Sequence, residues 1–246
     1  MHQTYATRAF VFKKQDRAEA DRVFSVFTRD FGKTEVFGKS IRAIASKLRG
    51  GMDIFYVSDI EFIQGKTKKT LTDAIALEKF SDIAKTPEKL EIAGKACGLL
   101  EDFIRGQECD PKIWDLVLDF FKKLDTLQLY NFTNFQLVSD YFFWNFISAL
   151  GYAPQLFNCA ACHQKLAPGL LYFSNKEGGV ICQSCLKNHA DALPINQDAI
   201  KLIRLFLKND WDTLVKLKSN KSFQASLQSI NENYRNYVLG YHKHYE

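Results

Sequence analysis

Four cysteines stand in two Cys-x-x-Cys pairs, Cys159 with Cys162 and Cys182 with Cys185, nineteen residues apart in "CAACHQKLAPGLLYFSNKEGGVICQSC". Two such pairs at this separation form the pattern of a zinc site. Two residues between ligands let a tight turn present both sulfurs roughly 3.7 Å apart. Two of these knuckles then supply the corners of a tetrahedron with Zn–S bonds of about 2.3 Å. Four thiolates close the coordination shell, so the expected role is structural, with one Zn2+ per chain and no open position for catalysis. Such a site contributes roughly 10–16 kcal/mol of apparent binding energy, against about 2–4 kcal/mol for one disulfide.

Three rival chemistries use the same residues. "CAACH" matches the attachment signature of c-type haem, with His163 as axial ligand, but that chemistry requires export. A thioredoxin-like centre needs a single clamp in a βαβ setting, which these polar, proline-interrupted flanks do not supply. The zinc deaminase pattern, a histidine-containing clamp upstream of Pro-Cys-x-x-Cys, is missing from the sequence. The remaining cysteines are given no role. Cys97 falls in an apolar helical stripe as a small buried thiol, and Cys109 falls in a loop.

The elements that must position the clamps come in two kinds. "TRAFVFK", "DRVFSVFTRD", "TEVFGKSIR", "MDIFYVSDIEFI" and "TLTDAIAL" are rich in Phe, Val, Ile and Thr, and several alternate at period two, separated by polar turns. Five strands joined by lysine-bearing loops predict a small OB-like β-barrel over residues 1–82. Thr86 as N-cap and Pro87 at the first helical position then open a helical domain over 86–246. Leu90, Ala93, Cys97, Leu100, Phe103 and Ile104 form its first apolar stripe. The helix over "FTNFQLVSDYFFWNFISALG" carries aromatics on nearly every face and ends at Gly151. The zinc element, at about 156–188, is inserted in this domain, with Gly178 and Gly179 turning a hairpin that carries the second clamp back to the first. The fold class is therefore α+β and multidomain.

Charge is divided as sharply as structure. Residues 1–80 hold 15 Lys+Arg and 10 Asp+Glu, whereas residues 81–246 hold 18 of each, so the whole net charge of +5 lies in the first third. This asymmetry points to a polyanion as the partner of the barrel. Lys33, Lys39, Arg42, Lys47 and Arg49 fall within seventeen residues with Glu35 as the single acid among them. Lys66, Lys68 and Lys69 form a second cluster. OB barrels bind single strands through basic loops and aromatic strand faces, which makes Phe10, Phe12, Phe24, Phe27 and Phe37 candidate base stackers, although each also suits the barrel core. The first residues, "MHQTYATRAFVFKK", show no secretory pattern. The most apolar later stretch is broken by Asp140 and Asn145, so a cytoplasmic protein without a membrane span is expected.

The chain resembles the bacterial recombination mediator family RecO, in order and over nearly its full length. "EADRVFSVFTRDFGK" is similar to the family's acidic-Ala-Asp-Arg stretch leading to Thr-Arg-x-x-Gly-Lys. "FGKSIRAIASKL" is similar to its basic-Gly-x-Arg segment. "LGYAPQLFNCAAC" with "GGVICQSC" matches its zinc element, the most specific of the three. In "FGKSIRAIASKL", Ser40 stands where the family has glycine, and Ala43, Ile44 and Ala45 stand where basic residues or proline are usual.

The resemblance implies a non-catalytic DNA-repair protein. It implies binding of single- and double-stranded DNA, annealing of complementary strands, and loading of RecA with RecR and the single-stranded-DNA-binding protein, in the bacterial cytoplasm and associated with the nucleoid. On that similarity Lys33, Lys39, Arg42 and Lys47 fall on the DNA-contacting segment. Arg49, Lys66, Lys68 and Lys69 are added from charge alone. The alternative is a protein-interaction adaptor whose zinc domain docks partners and whose barrel binds DNA weakly or not at all.

Overall fold

The computed structural model describes residues 3–106, 110–128, 135–217 and 221–244. Cys109 lies outside them. The chain falls into two compact units, Met1–Leu127 and Gln128–Glu246.

The first unit opens with five strands, β1 (Thr4–Arg17), β2 (Asp21–Thr28), β3 (Gly32–Gly38), β4 (Tyr56–Gln64) and β5 (Lys69–Lys79). They close into the expected barrel in the order β1-β2-β3-β5-β4. Neighbours are antiparallel except for β3 and β5, which run parallel over two residue pairs, Val36 with Lys69 and Phe37 with Thr70. The period-two residues Ala9, Val11, Phe24, Val26, Val36, Ile60, Phe62 and Leu71 fill the interior. β3 stops at Gly38, earlier than the apolar pattern suggests, because Ser40 takes a positive φ of 51° and turns the chain.

Three helices complete this unit: α1 (Ser81–Lys85), α2 (Pro87–Phe103) and α3 (Pro111–Thr126). Thr86 and Pro87 start α2 where expected, though the Thr86 side chain makes no capping bond. Asp110 does cap α3, accepting from the Lys112 amide at 2.8 Å. The outward face of β1 and β2 is covered by α3. Phe10 meets Phe121 with centroids 4.5 Å apart, and Phe27 meets Trp114 at 5.6 Å. This double burial explains why Ala9, Phe10, Val11 and Phe12 are all buried in sequence.

The α2 stripe differs from expectation at its first residue. Leu90 is exposed and Lys89 is buried instead. Burying an ammonium is costly unless it is paired. Lys89 Nζ donates to the Asp82 carboxylate at 2.8 Å and to the Asp125 carbonyl at 2.6 Å. Residues 82–86 mark the passage from strands to helices, whereas compactness divides the chain only after α3.

The second unit is built around α4 (Phe135–Ala149), whose aromatics are buried on several sides. Trp144 stacks on Tyr234 with centroids 5.6 Å apart and meets Phe173 edge-on at 5.8 Å, while Tyr141 meets Phe206 at 6.2 Å. These partners come from α5 (Gln197–Leu207), α7 (Lys221–His244) and a three-stranded sheet of β6 (Leu171–Ser174), β7 (Gly179–Cys182) and β8 (Leu193–Ile195), in the order β7-β6-β8. The short α6 (Trp211–Leu214) joins α5 to α7. Gly151, at φ 96°, follows α4 as a left-handed terminator.

Candidate metal centre and nucleic-acid interface

The four clamp cysteines converge because glycine allows a backbone contact that no other residue permits. A Cβ on Gly179 would lie 2.4 Å from the Gln155 carbonyl oxygen. With hydrogen there instead, the Gln155 amide donates to the Gly178 carbonyl at 2.9 Å, and the Val180 amide donates to the Gln155 carbonyl at 2.8 Å. The segment approaching the first clamp is thus fastened alongside the hairpin of β6 and β7. The Ala160 amide then donates to the Val180 carbonyl at 2.8 Å. Cys182 ends β7, and Cys185 rides the 3-10 turn Gln183–Asn188 that follows.

All four sulfurs lie within 4.8 Å of one another. Cys159 and Cys185 are 3.9 Å apart, Cys162 and Cys182 3.9 Å, and Cys182 and Cys185 3.6 Å. These separations are far too long for the roughly 2.05 Å of a disulfide and match the roughly 3.7 Å edge of a tetrahedron built on 2.3 Å bonds. The cluster can hold a metal ion.

Its electrostatics favour thiolate at one corner and oppose it at another. Burial pushes the Cys159 thiol up but is outweighed by backbone N–H groups, including those of Cys162 and Cys182 at 3.5 and 3.4 Å, so it falls to about 6. Cys185, beside Cys182 and the other two thiols, is pushed up to about 12. Four sulfurs this close resist joint deprotonation, and a soft dication at their centre removes the conflict.

His189 is a contributor that sequence spacing did not reveal. Its Nδ1 lies 2.9 Å from the Cys185 carbonyl and its Nε2 3.1 Å from the Glu177 carboxylate, tying the second knuckle to the hairpin turn. The Cys185 carbonyl, with burial opposing it and Glu177 assisting, holds the imidazole above its ordinary range. Nothing in the sequence marks it, because its partners are a main-chain oxygen and a residue twelve positions away.

The eight basic residues are not equivalent. Lys33 donates from Nζ to the Glu101 carbonyl near the end of α2, and burial lowers its pKa. Lys69 reaches the Thr34 hydroxyl and lies 5.8 Å from the Phe62 ring centroid, again with its pKa lowered by burial. Arg42 pairs with Asp16 at 3.4 Å. Lys68 places its ammonium 3.6 Å from the centroid of Phe37, a cation–π contact on the outer face of β3. Lys39, Lys47, Arg49 and Lys66 are exposed, with no ion-pair partner among the described residues. Of the candidate stackers, Phe24 fills the barrel, Phe10 and Phe27 pack under helices, Phe12 is buried, and Phe37 alone is partly exposed.

Two family models cover nearly the whole chain. "Recombination protein O N terminal" matches residues 1–80 and "Recombination protein O C terminal" matches residues 84–246. The barrel and the helical part with its four-thiol cluster therefore make up a protein of DNA repair and recombination. The chain belongs to the RecO family. A DNA repair protein RecO of Dehalococcoides mccartyi is 33% identical over 91% of this chain and 86% of its own length. Relatives of the same name from a Thermoanaerobacter species and a Roseiflexus species are 26% and 24% identical, covering 91% and 96% of this chain and 88% and 81% of their own. No described helix is long and apolar enough to cross a membrane.

Proposed function

We propose that this chain is a non-catalytic recombination mediator that binds single- and double-stranded DNA through the loops of its barrel, residues 1–82. It promotes annealing of complementary strands and, with RecR and the single-stranded-DNA-binding protein, loads RecA, working in the bacterial cytoplasm at the nucleoid. One Zn2+ held by Cys159, Cys162, Cys182 and Cys185 braces the part of the helical region, residues 86–246, that lies in the second unit. The observation that carries the DNA reading is the set of exposed cations without ion-pair partners, Lys39, Lys47, Arg49 and Lys66, joined by Lys68 on Phe37. The mechanism is charge neutralisation: a cationic surface lowers the repulsion between two strands, or between a strand and its protein coat, so that pairing becomes accessible.

Five phosphate contacts of this kind give log K a slope near about −3.5 against log salt, and an affinity that falls on the order of 100-fold between 50 and 200 mM. A salt titration of single-stranded DNA binding tests this; an affinity indifferent to salt overturns it. A second reading, the adaptor with weak DNA binding, draws support from Lys33, Lys69 and Arg42, which are engaged within the chain. Charge reversal at Lys39 and Lys47, both exposed and without an ion-pair partner among the described residues, separates the two, slowing annealing under the first and leaving it unchanged under the second.

A further inference from the structure

The loop between β3 and β4 holds a side chain that the fold does not ask for. Ile44 is 94% exposed. Single exposed apolar residues are common and need no explanation by themselves. This one sits on a braced loop. The Ser40 amide donates to the Asp21 carboxylate at 2.7 Å, the Arg42 amide to the Ala20 carbonyl at 3.0 Å, and the Ser46 amide to the Ala43 carbonyl at 3.0 Å. Ile41 is buried in the barrel core three residues before it, and Leu48 and Met52 pack against that core after it. Gly51 closes the loop so tightly on β5 that a Cβ there would lie 2.0 Å from the Ala74 carbonyl oxygen.

Ile44 thus stands in water on a loop anchored on both sides. Exposed in the folded and the unfolded chain alike, it adds no hydrophobic stability. A β-branched residue also brings no advantage to a turn. Its flanks are cationic: Lys39, Lys47 and Arg49 have no ion-pair partner among the described residues. A partner that satisfies both the charges and the exposed Ile must be a polyanion with apolar faces. Among polyanions, nucleic acid presents such faces as its bases, and aliphatic side chains inserted between base steps are an established use of Ile.

We propose that Ile44 is a base-contacting wedge, lying against or between unstacked bases of a DNA strand while the flanking cations hold its phosphates. This rests on the DNA-binding reading above.

The full chain is titrated against a single-stranded oligonucleotide carrying 2-aminopurine, with Ile44→Ser and Ile44→Leu as variants. Because residue 44 is exposed, both variants melt as the parent does. Ile44→Ser binds about fivefold more weakly with an unchanged salt slope and loses most of the parent's 2-aminopurine fluorescence change, whereas Ile44→Leu keeps both. If the parent binds and Ile44→Ser matches it in affinity and fluorescence, the wedge is overturned and DNA binding stands. If the parent itself fails to bind at 50 mM salt, both fall. If Ile44→Ser binds DNA normally but loses affinity for phosphatidylglycerol vesicles, the residue belongs to a lipid contact and the wedge is likewise overturned.

Discussion

Lys33 donates its ammonium to the main-chain carbonyl of Glu101, joining the first residues of β3 to the last turn of α2. A helix C-terminus carries unsatisfied carbonyls and partial negative charge, so a cation there is favourable. Lys33 thereby fastens barrel to helix, and its charge is engaged within the chain. Lys33→Ala is expected to lower the stability of the first unit by roughly 1 kcal/mol while leaving the salt slope of DNA binding unchanged. Lys39→Glu, at an exposed position, is expected to do the reverse: no change in melting, and a slope shallower by about 0.7. Parallel melting and salt titrations of the two variants check this.

The four-thiol cluster predicts one zinc per purified chain by elemental analysis, with no clamp thiol accessible to a thiol reagent until a chelator is added. Cys159→Ser and Cys185→Ser are each expected to lose the metal. The energy of such sites is roughly 10–16 kcal/mol, enough to order the segment alone, so either variant should melt earlier and lose the near-ultraviolet signal of the packed second unit. A metal-free chain with two disulfides and unchanged melting would count against the site.

Two glycines offer opposite outcomes from one substitution. Gly179→Ala drives a methyl into the Gln155 backbone and is expected to cost roughly 1–3 kcal/mol and weaken zinc retention. Gly94→Ala, in α2, meets open space and is expected to stabilise by roughly 0.5–1 kcal/mol. Denaturant titration of the pair reads both signs.

Acid should act through Asp191. Burial pushes its carboxyl up, but the Lys176 amide at 3.0 Å and the Ser174 hydroxyl at 2.9 Å outweigh it and hold the carboxyl below the ordinary range. A group depressed on folding binds more protons unfolded, so its stabilisation is present above the unfolded pKa near 3.8 and fades as pH falls through the lower folded value. Asp191→Asn is expected to melt earlier than the parent at pH 6, with the difference shrinking below pH 3.8. Melting curves across that range check the sign.

The legible parts of this chain are those whose information is local. Cys159, Cys162, Cys182 and Cys185 announce themselves because each clamp is four residues long, and Gly178–Gly179 announces the turn between them. The five strands are readable from period two. What the strands cover is not, because Phe10 and Phe27 are buried under Phe121 and Trp114, far along the sequence, which makes an outward face read like an inward one. Lys33 and Lys69 read as surface charges for the same reason, since their partners Glu101 and Thr34 are brought to them only by folding. The inward turn of Lys89 was hidden by the stronger apolar signal of Leu90, its exposed neighbour.

The backbone ladder of the five-stranded cylinder is shortest along one side, two residue pairs, Val36 with Lys69 and Phe37 with Thr70, reinforced by Lys68 on Phe37 and Lys69 on Thr34, where the antiparallel ladders run much longer. A ring of unequal seams breathes at the thinnest one. The amides bordering that seam are the ones expected to trade hydrogen for deuterium before those of the longer ladders. The barrel is thus expected to loosen first between β3 and β5, while its longer ladders hold.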